Sequence, residues 1–140
     1  MEIKSTRLKD IKRSWHLVDV KDKILGREAT RIAHLLMGKG KPYFVGNLDC
    51  GDYVVVINAK AVKLSGKKEK QKFYSRVSGY PGGLKKTPLT KLRAERPQEI
   101  IMRAVSGMLP KNKLRDKFLK RLYVFSGEEH PYGEKLKTQK

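Results

Sequence analysis

At 140 residues the chain has one domain's worth of length, enough to bury roughly 68% of its unfolded surface. Thirty-three Lys and Arg stand against 14 Asp and Glu, a net charge of +19, with a pI near 10.1 and a mean hydropathy of −0.60. With 39% of residues hydrophobic, these values exclude a disordered tail and an ordinary enzyme surface, and point to a folded basic domain.

The first fourteen residues, Met1 to Ser14, alternate charge and polarity without an apolar stretch. They read as a basic N-terminal extension, not a secretory signal. Trp15 to Val20 is aromatic and β-branched and leads to Gly26, which predicts a strand leaving into a turn. From Arg27 to Met37, Ala29, Ile32, Ala33 and Leu36 recur at helical spacing, with Arg27, Arg31 and His34 on the other side. Gly38, Gly40 and Pro42 end that helix. Tyr53 to Ile57 is an unalternating β-branched run, the pattern of a parallel strand buried on both faces. Asn58 is placed to cap a short helix from Ala59 to about Lys63.

Lys60 to Arg96 then carries twelve Lys or Arg against two acids, Glu69 and Glu95. Phe73, Tyr74, Gly79, Tyr80, Gly82 and Gly83 interrupt these charges, so the segment reads as a long basic loop, an arm over residues 64–96. Like charge at this density opposes compaction until a counter-charge arrives, and the largest biological counter-charge is a nucleic-acid backbone. Pro97 at a first helical position, Glu99 in the first turn, and Ile101, Ala104, Val105 and Met108 at helical spacing predict a further helix. Asn112 offers a cap for one more helix, with Leu114 and Phe118 inward and Lys113, Lys117 and Lys120 outward. Leu122 to Phe125 reads as the last strand. Residues 127–140 are polar and basic and are expected to trail over the surface or a partner. Strands alternating with helices predict an α/β fold of three layers with a parallel sheet, in one domain spanning 1–140.

The chemistry implied by these segments is binding rather than catalysis. The turn after the first strand has one glycine, Gly26, and lacks a dinucleotide fingerprint, and Gly38 to Lys41 lacks the rest of a phosphate loop. His16, His34 and His130 are scattered, with no carboxylate at ligand spacing, so no metal is expected. Cys50 is a lone thiol and reads as a packed or rim residue. Asp19, Asp22, Asp49 and Asp52 lie near strand ends, where turn-forming or Lys-pairing acids are the simpler reading. In the arm, glycines permit close backbone approach, Tyr74 and Tyr80 offer rings for unpaired bases, and Arg76, Lys85 and Lys86 meet phosphates. A mobile surface loop with half-packed tyrosines is the plain alternative, and a solvated helix face is the alternative for Lys111 to Arg121.

Taken together, Trp15–Asp19, Leu25-Gly26-Arg27, Gly51–Ala59, Ser78-Gly79-Tyr80-Pro81-Gly82-Gly83-Leu84 and Gly107-Met108-Leu109-Pro110-Lys111-Asn112 resemble bacterial-type large-subunit ribosomal protein thirteen. The resemblance covers nearly the whole chain. It implies a three-layer α/β/α sandwich around a four-stranded parallel sheet, no catalysis and no cofactor. It also implies a structural role in binding 23S ribosomal RNA early in large-subunit assembly, beside neighbouring ribosomal proteins. The positions it points to are Arg27, Lys39, Lys60, Lys67, Lys68, Lys70, Lys72, Tyr74, Arg76, Tyr80, Lys85, Lys86 and Arg93. Lys111, Lys113, Arg115, Lys117 and Arg121 complete the set, with the N-terminal Arg7, Lys12 and Arg13. A cofactor-binding α/β enzyme, and a basic protein acting on messenger RNA or DNA, are the competing readings. The tail from Glu134 departs from the family pattern.

Overall fold

The computed structural model describes residues 5–137. Three strands, β1 (Trp15–Asp19), β2 (Tyr53–Ile57) and β5 (Leu122–Val124), form a parallel sheet in the order β1-β2-β5. Trp15 lies beside Tyr53 and Val54 beside Leu122. The run Val54, Val55, Val56 is 0% exposed, as expected of a central strand covered on both faces. Three strands stand here among the described residues where the resemblance implies four. A further parallel contact, the bridge Ile24↔Lys63, is isolated and lies outside the named strands.

On one face lie helix α1 (Leu25–Met37) and helix α4 (Pro97–Met108). The apolar stripe predicted for α1 is buried throughout, and Val18, Val54 and Val56 meet it together with Ile100, Ile101 and Val105. Each such side chain contributes about 1.5–3 kcal/mol on leaving water. α4 is turned slightly from the expected face: Ile100 is fully buried, while Met108 is 43% exposed at the helix end. Helix α1 stops where Gly38 takes φ +81° and returns its N–H to the His34 carbonyl, a left-handed cap that L side chains resist.

The other face is aromatic. Alternation along the strands sends Trp15, Tyr53 and Tyr123 to the side opposite Val54. Trp15 stacks on Tyr53 at 4.4 Å and on Tyr132 at 5.2 Å, and Tyr132 reaches Tyr123 at 4.6 Å. The tail lies over this face of the sheet: Tyr132 joins the rings and helix α6 (Gly133–Lys137) sets the Lys135 ammonium 4.8 Å from the Trp15 ring centre. Residues 138–140 of the expected tail lie outside the described residues, as do residues 1–4 of the extension.

Two local expectations are corrected. Asn58 adopts φ +60° and makes no side-chain cap to the 3-10 turn Ala59–Ala61; its amide donates to Asp19 Oδ1 at 2.9 Å instead. The arm is not a loop. It contains the short helix α2 (Lys68–Gln71), the antiparallel hairpin β3 (Phe73–Val77) and β4 (Leu84–Pro88), and helix α3 (Leu89–Glu95), anchored by buried Leu89 and Leu92.

Gly51 sits where the chain enters β2, and a Cβ there would fall 1.6 Å from the Leu36 carbonyl oxygen. Gly51→Ala is expected to cost at least about 2 kcal/mol by forcing backbone apart. A urea midpoint equal to wild type would show that the contact between α1 and this segment is loose.

Candidate nucleic-acid interface

The hairpin turns on Tyr80-Pro81-Gly82-Gly83. Proline at the second position, glycine at φ +73° at the third, and the Gly83 N–H donated to the Tyr80 carbonyl at 2.9 Å make a type II turn. This places the Tyr80 ring at the tip, 79% exposed. Behind it, Arg76 stands directly opposite Lys85 and Ser75 opposite Lys86. Like charges facing across a ladder destabilise it unless an anion lies between them. Among the described residues, Lys67, Lys70, Arg76, Lys85 and Lys86 have no carboxylate within 4.0 Å. The hairpin is thus a projecting, unneutralised cationic blade with apolar Phe73, Val77 and Leu84 also in solvent.

At the blade's base Arg27, at the amino end of α1, shares a cleft of about 520 Å³ with Lys68, Lys72, Leu64 and Met108. Tyr74, expected to offer its ring to RNA, instead packs against the core between Lys72 and Arg103, whose charges lie 5.3 and 5.1 Å from the ring centre. Burial pushes its phenol pKa up, against the pull of Arg103 and Arg93, so it stays neutral. Arg93 is also committed inward, donating to the Val62 carbonyl at 2.8 Å and to Glu69 at 3.0 Å.

A second basic surface combines exposed Lys39 with Lys111, Lys113 and Lys117, the last on helix α5 (Arg115–Lys120). Asn112 accepts the Leu114 N–H at 3.0 Å just ahead of that helix. Arg115 donates to Ser106 Oγ at 2.6 Å. Arg121, read from the sequence as an RNA contact, is 7% exposed. Its guanidinium forks onto Asp49 and donates to the carbonyls of Leu36 and Asp52. It is a structural cation, because leaving water demands that its donors be satisfied inside.

Asp49 also receives Arg13, which donates to the Gly51 carbonyl at 2.6 Å. Beside it, Asp52 binds His16 Nε2 at 2.8 Å, Lys41 Nζ at 2.6 Å and the Ser14 N–H at 3.0 Å. The N-terminal extension is drawn in too, since Tyr43 hydroxyl and Lys41 both donate to the Lys12 carbonyl. This network fixes the segment between α1 and β2, and with it Lys39. Arg7 and the Lys12 side chain are left in solvent, as is Lys60.

A family model described as Ribosomal protein L13 matches residues 13–131. The chain belongs to the ribosomal protein L13 family. It is 50% identical over 128 residues to the Large ribosomal subunit protein uL13 of Thermobifida fusca, covering 91% of this chain and 86% of that one. The protein of the same name from Clostridioides difficile is 52% identical over 124 residues, covering 89% and 87%. That from Nautilia profundicola is 48% identical over 134 residues, covering 96% of each. Members of the L13 family are structural components rather than enzymes, which removes the cofactor-binding reading. His16 acquires a carboxylate that spacing did not suggest, because parallel pairing of β1 with β2 brings Asp52 alongside. That contact belongs to the scaffold of an L13 fold.

Burial alone would raise the Asp52 carboxyl, but the hydrogen bonds from His16, Lys41 and Ser14 outweigh it and hold the pKa at about 2, from an ordinary value of 3.8. A carboxyl depressed on folding stabilises fully above its unfolded value and ceases to do so as pH falls through its folded one. Wild type should therefore lose about 2 kcal/mol from this group between about pH 4 and pH 2. Asp52→Asn should be less stable near neutrality and lack that share of the acid loss; identical acid profiles in urea titrations would refute the assignment.

Proposed function

We propose that the chain is a structural constituent of the large ribosomal subunit in the cytoplasm, binding 23S ribosomal RNA and acting early in assembly. The observation that carries this is family membership: relatives about half identical over most of their length bear the name Large ribosomal subunit protein uL13. The exposed blade and the Lys39–Lys117 surface support RNA as the ligand. Cationic side chains in solvent without partners are suited to phosphates, and a ring at a hairpin tip is suited to an unstacked base.

In this reading, one domain of three layers holds two sets of contacts. Tyr80, Arg76, Lys85, Lys86, Lys67, Lys68, Lys70 and Lys72 form the first, with Arg27 at its base. Lys39, Lys111, Lys113 and Lys117 form the second. Helices over the core face, with the rings and α6 over the other, support the layered arrangement. Binding works chiefly through charge and shape, stabilising a folded RNA arrangement that neighbouring ribosomal proteins then meet. Tyr74, Arg93, Arg115, Arg13 and Arg121 serve the scaffold.

The variant carrying Tyr80→Ala, Lys85→Ala and Lys86→Ala should have a urea midpoint at or above that of wild type, since it loses the Arg76–Lys85 repulsion, yet incorporate several-fold more slowly into large subunits in a reconstitution from purified RNA and proteins. Incorporation at the wild-type rate would remove the hairpin from the interface.

A further inference from the structure

Between the carboxyl end of α1 and the segment Leu109–Asn112 lies an open cleft of about 310 Å³. Buried Met37, Leu109 and Phe118 line its floor, with half-buried Phe44 and Leu48 and exposed Pro110 around them. Its rim is built rather than incidental. Gly38 abuts the Cys50 carbonyl so closely that a Cβ would lie 2.3 Å from the oxygen, and the Asp49–Arg121 fork clamps the same segment.

The lip is polar and selective. Lys39 and Asn112 line it, and Lys111 adjoins Asn112; neither lysine has a carboxylate within 4.0 Å among the described residues. The Asn112 carbonyl oxygen is already taken by the Leu114 N–H. Its amide nitrogen has no partner among the described residues, so two donors are left unpaired by protein on a residue that lines an apolar slot.

We infer that this cleft takes one unstacked nucleobase of ribosomal RNA. The ring lies on the Phe44 side and the apolar floor, an acceptor edge such as guanine O6/N7 or a uracil carbonyl meets the Asn112 amide, and the adjoining phosphates meet Lys39 and Lys111. A slot at the small end of ligand clefts suits one planar ring. An apolar side chain from a protein would fill the slot but leave the amide donors and both ammonium groups unmatched. A nucleotide supplies ring, acceptors and phosphate at once.

The inference rests on the RNA-binding reading, and binding of the full chain to large-subunit ribosomal RNA across a salt series separates the two. Phe44→Ala should weaken binding about five- to a hundred-fold at every salt concentration, with the log-log salt slope unchanged because no phosphate contact is lost. Lys39→Ala with Lys111→Ala should instead flatten the slope by roughly 0.7 to 0.9 for each cation removed. Chemical probing should reveal one base protected at its acceptor edge by wild type and reactive with Phe44→Ala. Leu48→Trp, which plugs the slot, should reproduce the Phe44→Ala loss. Wild-type affinity in either substituted protein, at a wild-type urea midpoint, overturns the base site. Failure of wild type itself to bind in a salt-dependent way overturns the RNA reading instead.

Discussion

Fourteen carboxylates cannot neutralise thirty-three cations, and where the few acids go decides what the rest of the surface does. The two acids at the entrance to β2 are spent inside the molecule. Asp49 secures Arg121 and Arg13, and Asp52 secures His16 and Lys41. Glu69 and Glu99 hold Arg93 and Arg96 near the base of the arm. Among the described residues, the cations left without a carboxylate include those of the hairpin and Lys39, Lys111, Lys113 and Lys117. The most buried cations, Arg121 and Lys41, are paired with Asp49 and Asp52, while the cations of the hairpin stand bare where a polyanion can reach.

That sorting depends on a rigid frame. Apolar packing of α1 and α4 on β2 supplies the stability that self-repulsion erodes. The rings on the other face hold the tail against β1, so that the last helix covers sheet rather than solvent. The hairpin leaves this frame through Leu89 and Leu92 on one side and Tyr74 on the other, which is why its tip can project without its base moving.

Much of the frame is legible in the sequence because it repeats. Ala29, Ile32, Ala33 and Leu36 announce α1, and three consecutive valines announce a strand covered twice. The arm is less legible. Its charge draws the eye from the alternation in Phe73 to Val77, although Tyr80-Pro81-Gly82-Gly83 between two such runs is a turn signature. The burial of Arg121 is hidden in the sequence for a different reason. Its partner Asp49 is 72 residues away, and nothing local distinguishes a cation destined for a buried fork from its neighbours Lys117 and Lys120. Tyr132 likewise gains meaning only when Trp15 stands beside it, and His16 only when β2 supplies Asp52.

At a net charge of +19 the free chain carries repulsion, which the proposed RNA ligand would relieve. The single tryptophan, Trp15, lies in the ring stack and reports unfolding, and urea, being uncharged, leaves ionic strength free to vary. For the free chain the urea midpoint should rise as salt shortens the screening length from roughly 30 Å at 0.01 M to about 10 Å at 0.1 M. Bound to large-subunit ribosomal RNA, it should start higher and fall with salt as the phosphate contacts are lost. A midpoint that moves the same way in both states, or in neither, would mean that RNA does not relieve this repulsion.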